Sequence, residues 1–193
     1  MDNFIPNIIR SSILVKTKIL SNPDFINHIE QTAAAMVTAF KNKKKILFCG
    51  NGGSAGDAQH IAAELSGRFY FDRAPLYAEA LHVNSSYVTA VANDYSYDVI
   101  YERLVEAQGL EGDILVGIST SGNSKNVILA MKKAKSLGMT TIGFTGETGG
   151  EMAQLSDYLI NVPSTDTPRI QESHIMIGHI LCEMIEAELF EKK

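Results

Sequence analysis

Five short apolar segments, rich in β-branched residues and mostly separated by helical stretches, constrain the fold of this chain most strongly. They lie at residues 45–49, 76–83, 114–119, 140–145 and 158–162. Each has the length of a buried strand rather than that of a helix. Because strands that alternate with helices form parallel sheets covered on both faces, we predict a doubly wound α/β fold with a mainly five-stranded parallel sheet.

Helical periodicity fills most of the remaining sequence. Two apolar stripes, separated by Asn22-Pro23, predict a pair of helices between residues 8 and 40. Further helices are predicted at residues 54–65, 98–108, 124–137 and 168–190, with Gly138 as a C-cap after the third of them. Because the 193 residues contain no internal repeat or long linker, we expect one domain in which residues 1–43 form a helical extension.

Composition and charge argue against several classes of function. With 45% hydrophobic residues the chain can bury a core without disulfides, so Cys49 and Cys182 are expected to be buried free thiols. The net charge of −5 gives no reason to expect nucleic acid, and the basic run at residues 41–45 is interpreted as a solvated helix end. No apolar segment approaches the ~18 residues of a membrane span and the N-terminus lacks a signal-like pattern, so we expect a soluble, cytoplasmic protein.

Two polar loops follow predicted strands, at the edge where open parallel sheets bind ligands. The first, here called the glycine loop, is Gly50-Asn51-Gly52-Gly53-Ser54, whose backbone N–H groups can approach an anion at the start of a helix. The second, the serine loop, is Ser119-Thr120-Ser121-Gly122-Asn123-Ser124, which offers four hydroxyls and an amide just before a helix N-terminus. This chemistry suits a phosphate monoester.

Either loop alone has a simpler interpretation. The glycine loop can be a tight turn, and the serine loop can be an N-cap turn with Ser124 as the cap. Two such loops in one sheet favour a phosphate site. The glycine loop also loosely fits a dinucleotide fingerprint, but the next strand ends at His82-Val83-Asn84, without an acidic residue for a ribose, and no lysine follows the glycines as a P-loop requires.

Candidates for acid–base or metal chemistry lie on two predicted helices. His60 and Glu64 are four residues apart on one helical face, where they can bind a divalent metal, act as an acid and a base, or form a plain surface pair. His179 lies in the otherwise apolar last helix. Helical spacing alone would pair His179 with Glu172, on nearly the same face, rather than with Gln171, about 80° away.

These motifs, in order and spacing, resemble the bacterial phosphoheptose isomerases of the sugar isomerase (SIS) domain group over nearly the whole chain. The matching segments are residues 49–64, Asn93-Asp94, residues 117–124 and residues 169–179. The resemblance implies that His60, Glu64, Gln171 and His179 bind zinc, and that Glu64 and His179 are the catalytic acid–base pair. It also implies that the substrate contacts Asn51, Gly52, Gly53, Ser54, Asn93, Asp94, Ser119, Thr120, Ser121, Ser124 and Gln171.

The resemblance further implies a reaction, a place in metabolism and an assembly. The family converts sedoheptulose 7-phosphate to D-glycero-D-manno-heptose 7-phosphate, the first step of activated-heptose synthesis for bacterial lipopolysaccharide or capsule. A homotetramer is implied, with no nucleic acid or membrane partner. Gln171 and His179 lie about 12 Å apart along one helix, so either both side chains lean inward or subunits share the site. Glu64 has two competing roles, as a metal ligand and as a base.

Two other functions fit part of these features. One is a non-catalytic SIS module that binds a protein, as in the replication-initiator-associating protein, although the presence of His60, Glu64, Gln171 and His179 argues against it. The other is an isomerase of a pentose or hexose phosphate, because the serine loop would grip only the phosphate end that such substrates share.

Overall fold

A sheet of five parallel strands forms the centre of the structure, a computed structural model that describes residues 3–190. The strands are β1 (Ile46–Gly50), β2 (Ala78–Ala80), β3 (Ile114–Ile118), β4 (Thr140–Thr145) and β5 (Tyr158–Asn161). Their order is β2-β1-β3-β4-β5, and each neighbouring pair is parallel. The winding therefore reverses between β1 and β3, which confirms the doubly wound fold and places the glycine and serine loops on either side of the switch point.

Seven α-helices occur in the described part of the chain. They are α1 (Phe4–Leu20), α2 (Pro23–Lys41), α3 (Gly53–Ser66), α4 (Ser85–Asp94), α5 (Ile100–Gln108), α6 (Lys125–Ser136) and α7 (Thr167–Leu189). Six of them were predicted within a few residues. Helix α4 was not predicted, because it buries Val91 alone and so lacks an apolar stripe. The predicted second strand, residues 76–83, was too long, since β2 has three residues.

Each face of the sheet carries its own apolar core, because successive residues of a strand point to opposite faces. In β1, Ile46 and Phe48 belong to the core under α1, α2, α3 and α7, whereas Leu47 and Cys49 belong to the core under α5 and α6. Cys49 and Cys182 are buried free thiols, as predicted.

Local signals in the sequence account for several helix ends. Asn22 caps α2 by accepting a hydrogen bond from the Phe25 N–H, and Pro23 occupies the first helical position. After α6 the chain leaves the helix through Gly138, whose φ is +73°. Within residues 3–190, no helix is both long enough and apolar enough to cross a membrane.

A buried ion pair lies at the amino-terminal ends of the central strands, opposite the two ligand loops. Lys45 Nζ lies 2.5 Å from Asp113 Oδ2, and the two side chains are 11% and 2% exposed. Asp113 also accepts hydrogen bonds from the backbone N–H groups of Lys45 and Leu110. This pair joins the starts of β1 and β3.

Candidate active site

Hydrogen bonds among its own hydroxyls shape the serine loop. The Ser119 Oγ lies 2.8 Å from the Ser124 Oγ and 3.4 Å from the Ser121 Oγ. Ser124 directly precedes α6, yet its side chain makes no capping hydrogen bond. The simpler N-cap interpretation is therefore wrong for this hydroxyl, which turns towards Ser119 instead. The three hydroxyls lie at the positive end of the α6 dipole, where they can bind an anion.

The segment after β4 supports the serine loop from outside. Gly122 has a φ of +67°, and a Cβ at this position would overlap the carbonyl group of Gly149. The Asn123 Oδ1 accepts a hydrogen bond from the Glu151 N–H at 2.9 Å, and the Gly146 N–H donates to the Thr120 carbonyl oxygen at 2.9 Å. The loop is thus held in place by contacts within this chain.

In the glycine loop, the lack of a side chain at Gly53 leaves space for the side chain of Gln171. Gly52 has a φ of +56°, and Gly53 begins α3. A Cβ on Gly53 would lie 2.5 Å from the Nε2 of Gln171. The amide of Gln171 therefore packs against the N-terminus of α3, next to Ser54, which is buried.

A pair of asparagines connects the glycine loop to α6, the helix that follows the serine loop. The Nδ2 of Asn51 donates to the Oδ1 of Asn126, and the Nδ2 of Asn126 donates to the Oδ1 of Asn51, both at 2.9 Å. The Tyr97 hydroxyl also donates to the Asn51 Oδ1, at 3.0 Å. Asn126 and Tyr97 were absent from the sequence analysis, because neither belongs to a recognisable motif and both approach Asn51 only through the fold.

Three ionisable side chains from α3 and α7, here called the His-Glu-His cluster, meet below these loops. His60, Glu64 and His179 each contribute an atom to a group whose members all lie within 4.8 Å of one another. The two Nε2 atoms of His60 and His179 are 3.1 Å apart, and the His60 Nε2 is 3.2 Å from the Glu64 Oε1. His60 and Glu64 thus form more than a surface pair.

The donor atoms of the His-Glu-His cluster fit a divalent metal. Two imidazole nitrogens and a carboxylate oxygen form a ligand set that zinc accepts in catalytic sites with three protein ligands. The side chain of Gln171, on α7, contacts Gly53 at the start of α3. Gly53 precedes His60 by seven residues, which is about 10 Å along the axis of α3. Within one chain, Gln171 therefore lies at the glycine loop, and its role as a zinc ligand stays a prediction.

Glu172, which helical spacing would have paired with His179, turns away from the cluster towards α1. Its Oε2 accepts a hydrogen bond from the Ser12 hydroxyl at 2.7 Å, and its Oε1 lies 2.6 Å from the Arg169 Nη2. Spacing along one helix does not show which neighbouring helix covers each side chain, so that pairing was wrong.

Asn93 and Asp94 end α4, are exposed and bond to each other, with the Asn93 Nδ2 2.9 Å from the Asp94 Oδ1. Their contact with the substrate stays a prediction.

Asp57, one turn before His60 on α3, was overlooked, although its spacing from His60 and Glu64 is a detectable signal. Its Oδ2 is buried and has no hydrogen-bond partner among the described residues. Burial raises the pKa of Asp57 to about 6, although the charge of His60 lowers it.

Residues 21–146 match the SIS domain family, so the fold and the site define a SIS domain protein. The chain is 56% identical to the phosphoheptose isomerase of Clostridium acetobutylicum, over 100% of this chain and 98% of the relative. It is 51% identical to the phosphoheptose isomerase of Aneurinibacillus thermoaerophilus, with the same coverage. The solved structure of the phosphoheptose isomerase of Neisseria gonorrhoeae shares 42% identity and has a TM-score of 0.90, covering 96% of this chain and 98% of that one.

The chain therefore belongs to the phosphoheptose isomerase family, and it is an isomerase. The resemblance found in the sequence is confirmed. The non-catalytic SIS module is not favoured, because these full-length relatives are enzymes.

Proposed function

We propose that this protein converts sedoheptulose 7-phosphate to D-glycero-D-manno-heptose 7-phosphate through an enediol(ate) intermediate. One observation carries the proposal. The His-Glu-His cluster, which can transfer protons, is formed in the same domain as a serine loop suited to phosphate. The full-length phosphoheptose isomerase relatives support this choice of substrate over a pentose or hexose phosphate.

Isomerisation of this kind moves one proton between neighbouring carbons. A base removes the proton from the hydroxyl-bearing carbon beside the carbonyl, and the electron pair forms the enediolate. The hydroxyl proton of that carbon passes to the former carbonyl oxygen, and an acid returns a proton to the former carbonyl carbon, so that the carbonyl moves by one carbon. Glu64 and His179 contribute atoms to one group within 4.8 Å, so both can reach adjacent carbons of one substrate. The Ser119, Ser121 and Ser124 hydroxyls would bind the phosphate and so fix the register of the carbon chain.

We also propose zinc as the metal of this site. His60, Glu64 and His179 would hold it, together with Gln171 as the family resemblance implies, and bound zinc would polarise the oxygens of the reacting carbons. Elemental analysis of the purified protein is expected to show about one zinc per subunit, and His60→Ala is expected to lose it. Full zinc content in the His60→Ala variant would contradict this assignment.

A homotetramer with shared sites is part of the proposal. Exposed apolar residues on α1, among them Ile5, Ile9 and Ile13, offer a surface for subunit contact. The place of Gln171, apart from the His-Glu-His cluster of its own chain, supports ligands drawn from more than one subunit. Sedimentation should show tetramers, and a fully active monomer would refute shared sites.

We assign the whole chain, residues 1–193, to a single SIS domain in which residues 1–43 form a helical extension. Residues 1–2 and 191–193 of this range lie outside the described residues. The extension docks through α1, because the Arg169 Nη1 donates to the Ile8 carbonyl oxygen at 2.9 Å. Deletion of residues 1–20 is expected to disrupt assembly before it disrupts the sheet, which sedimentation and circular dichroism would measure together.

Substrate comparison is the direct test of the reaction. The purified protein is incubated with sedoheptulose 7-phosphate and, separately, with ribose, arabinose and fructose phosphates, and the products are identified by NMR. We expect turnover of the heptose alone, and preferential turnover of a shorter sugar would replace the proposal.

The cellular role follows from the product. We propose that the enzyme works in the cytoplasm and supplies heptose for lipopolysaccharide or capsule. Loss of the gene should remove heptose from surface polysaccharide, and an unchanged heptose content would contradict this role.

A further inference from the structure

A second buried ion pair lies beyond the His-Glu-His cluster, between the segment after α3 and the helix α7. The Arg73 Nε is 2.8 Å from the Glu186 Oε2, and the side chains are only 1% and 2% exposed. Burying two charges costs much of what their attraction gains, so such a pair is weak evidence for stability by itself. Its remaining contacts indicate its role.

Arg73 binds the end of the helix that carries Glu64. Its Nη2 donates to the carbonyl oxygen of Glu64 and its Nη1 to that of Leu65, both at 2.9 Å. Carbonyl groups in the last turn of a helix have no partner within the helix. One guanidinium therefore satisfies two of these carbonyls and ties the backbone of Glu64 to the ion pair.

Glu186 fastens the segment after α3 onto α7. Its carboxylate accepts hydrogen bonds from the N–H of Phe69 at 3.1 Å and from the N–H of Tyr70 at 2.8 Å. Burial raises the pKa of Glu186, but these two N–H groups and Arg73 outweigh it and hold the pKa below its ordinary value. The carboxylate is thus charged and fully bonded at neutral pH.

The fastened segment places an aromatic ring against the other proton-transferring residue. The ring of Phe69 lies 5.9 Å from the imidazole of His179, with 35° between the planes, and 4.5 Å from the ring of Tyr70. His179 precedes Glu186 by seven residues, so both lie on nearly the same face of α7. The ion pair is therefore linked to Glu64 through the backbone of α3 and to His179 through Phe69.

We propose that Arg73 and Glu186 are positioning residues that fix the separation of Glu64 and His179. This inference rests on the proposed isomerase function. A misplacement of about 1 Å in a reacting group can cost on the order of 100-fold in rate. The pair has no hydrogen bond to the serine loop, so its loss should lower kcat and leave KM for the phosphorylated sugar nearly unchanged.

The main test is the double variant Arg73→Met/Glu186→Leu, which removes both charges and leaves neither buried alone. We expect kcat to fall at least about tenfold and KM to stay within about twofold. Hydrogen exchange at the Phe69 and Tyr70 amides should become faster, because their acceptor is gone. A folded double variant with the kcat of the unchanged enzyme would overturn the inference.

The matched control is Lys45→Met/Asp113→Leu, at the opposite ends of the strands. There too the carboxylate accepts hydrogen bonds from two backbone N–H groups. This variant is expected to lose stability but to keep kcat and KM. An equal loss of kcat in both double variants would mean a general loosening of the fold and would refute a positioning role.

A third variant, Phe69→Leu, keeps the ion pair and removes the ring beside His179. It should lower kcat roughly threefold to tenfold. If the Arg73/Glu186 double variant does not fold, Phe69→Leu becomes the main test. An unchanged kcat in Phe69→Leu would then contradict the proposal. The unchanged enzyme is assayed first with sedoheptulose 7-phosphate. If it has no turnover, the proposed function fails, whereas normal turnover in the variants rejects only the positioning role.

Discussion

The serine loop and the His-Glu-His cluster reach their geometry in opposite ways. The serine loop is six consecutive residues, folded by bonds between neighbouring hydroxyls and supported by the segment after β4. The cluster joins residues 119 positions apart on α3 and α7, and the side chain of His60 is half exposed. The proposed phosphate-binding site is thus built locally, whereas the proposed site of proton transfer depends on how two helices pack.

This difference separates the expected effects of mutations. A change in the serine loop should act on substrate binding and on the local fold, since we assign this loop to phosphate binding and not to proton transfer. A change in the cluster should act on turnover and leave binding of the phosphate intact. Mutations of residues that set the packing of α3 on α7 should also lower turnover and leave phosphate binding intact, even when these residues lie outside the cluster.

The largest effect is expected for Glu64→Gln and His179→Gln, because each removes a group that we propose transfers protons. We expect kcat to fall by about 10³-fold or more, with binding of the sugar phosphate and the melting temperature little changed. Steady-state kinetics, calorimetric titration and thermal melts measure the three quantities. Glu172→Gln is the control and should keep near-normal kcat, because Glu172 faces α1. Near-normal kcat in Glu64→Gln or His179→Gln would end the acid–base assignment.

Gly122→Ala tests whether the serine loop is rigidly built. The positive φ and the overlap with the carbonyl of Gly149 are expected to lower the free energy of unfolding by roughly 2–4 kcal/mol and to raise KM. Urea unfolding measures the first and steady-state kinetics the second. Gly56→Ala on α3, where an added Cβ meets open space, should instead be neutral or stabilising. Equal stability of the two variants would show that the loop adapts.

His174 links α7, the helix that carries His179, to the end of β4, since its imidazole bonds to the carbonyl oxygen of Thr145. Burial lowers the pKa of His174 to about 4, although this hydrogen bond raises it. In the unfolded chain the pKa is about 6.5, so the unfolded state binds the proton first as the pH falls. The contribution to stability is complete above pH 6.5 and is lost towards pH 4, by roughly 3 kcal/mol at most.

The variant His174→Gln can still donate to Thr145 but does not titrate. The free energy of unfolding of the two proteins, measured by urea titration from pH 7.5 to pH 4.5, should diverge as the pH falls, with the unchanged protein losing more. Parallel curves would show that His174 is not the group responsible.

The smallest effect is expected for Ser124→Ala, which removes one hydroxyl from the serine loop. A hydrogen bond to a charged group contributes about 1.5–3 kcal/mol, so KM should rise roughly 10- to 100-fold while kcat stays within about twofold. Ser136→Ala, at the other end of α6, removes a hydroxyl whose one hydrogen bond within residues 3–190 goes to the Lys133 carbonyl oxygen, and it should change neither constant. If kcat falls and KM does not, the serine loop takes part in the chemistry.

The sequence was most informative where a signal is local. The strand segments were predictable because short segments bury or expose their own residues in a fixed period, and Gly138 was predictable as a helix end because glycine adopts a positive φ without strain. The polar helix α4 and the short strand β2 were harder, since neither has a strong apolar pattern. The choice of Gln171 over Glu172 as a site residue came from the resemblance to the family, whereas helical spacing favoured Glu172.

By itself the sequence determined a doubly wound parallel sheet, two loops suited to phosphate and a family whose motifs include His60, Glu64 and His179. Only the tertiary structure decided which side chains meet. It placed His179 against His60, turned Glu172 to α1, paired Asn51 with Asn126 and brought Arg73 to the backbone of Glu64. The physical reason is that periodicity shows which face of a helix is buried, whereas the partner on that face is set by the packing of elements distant in the chain.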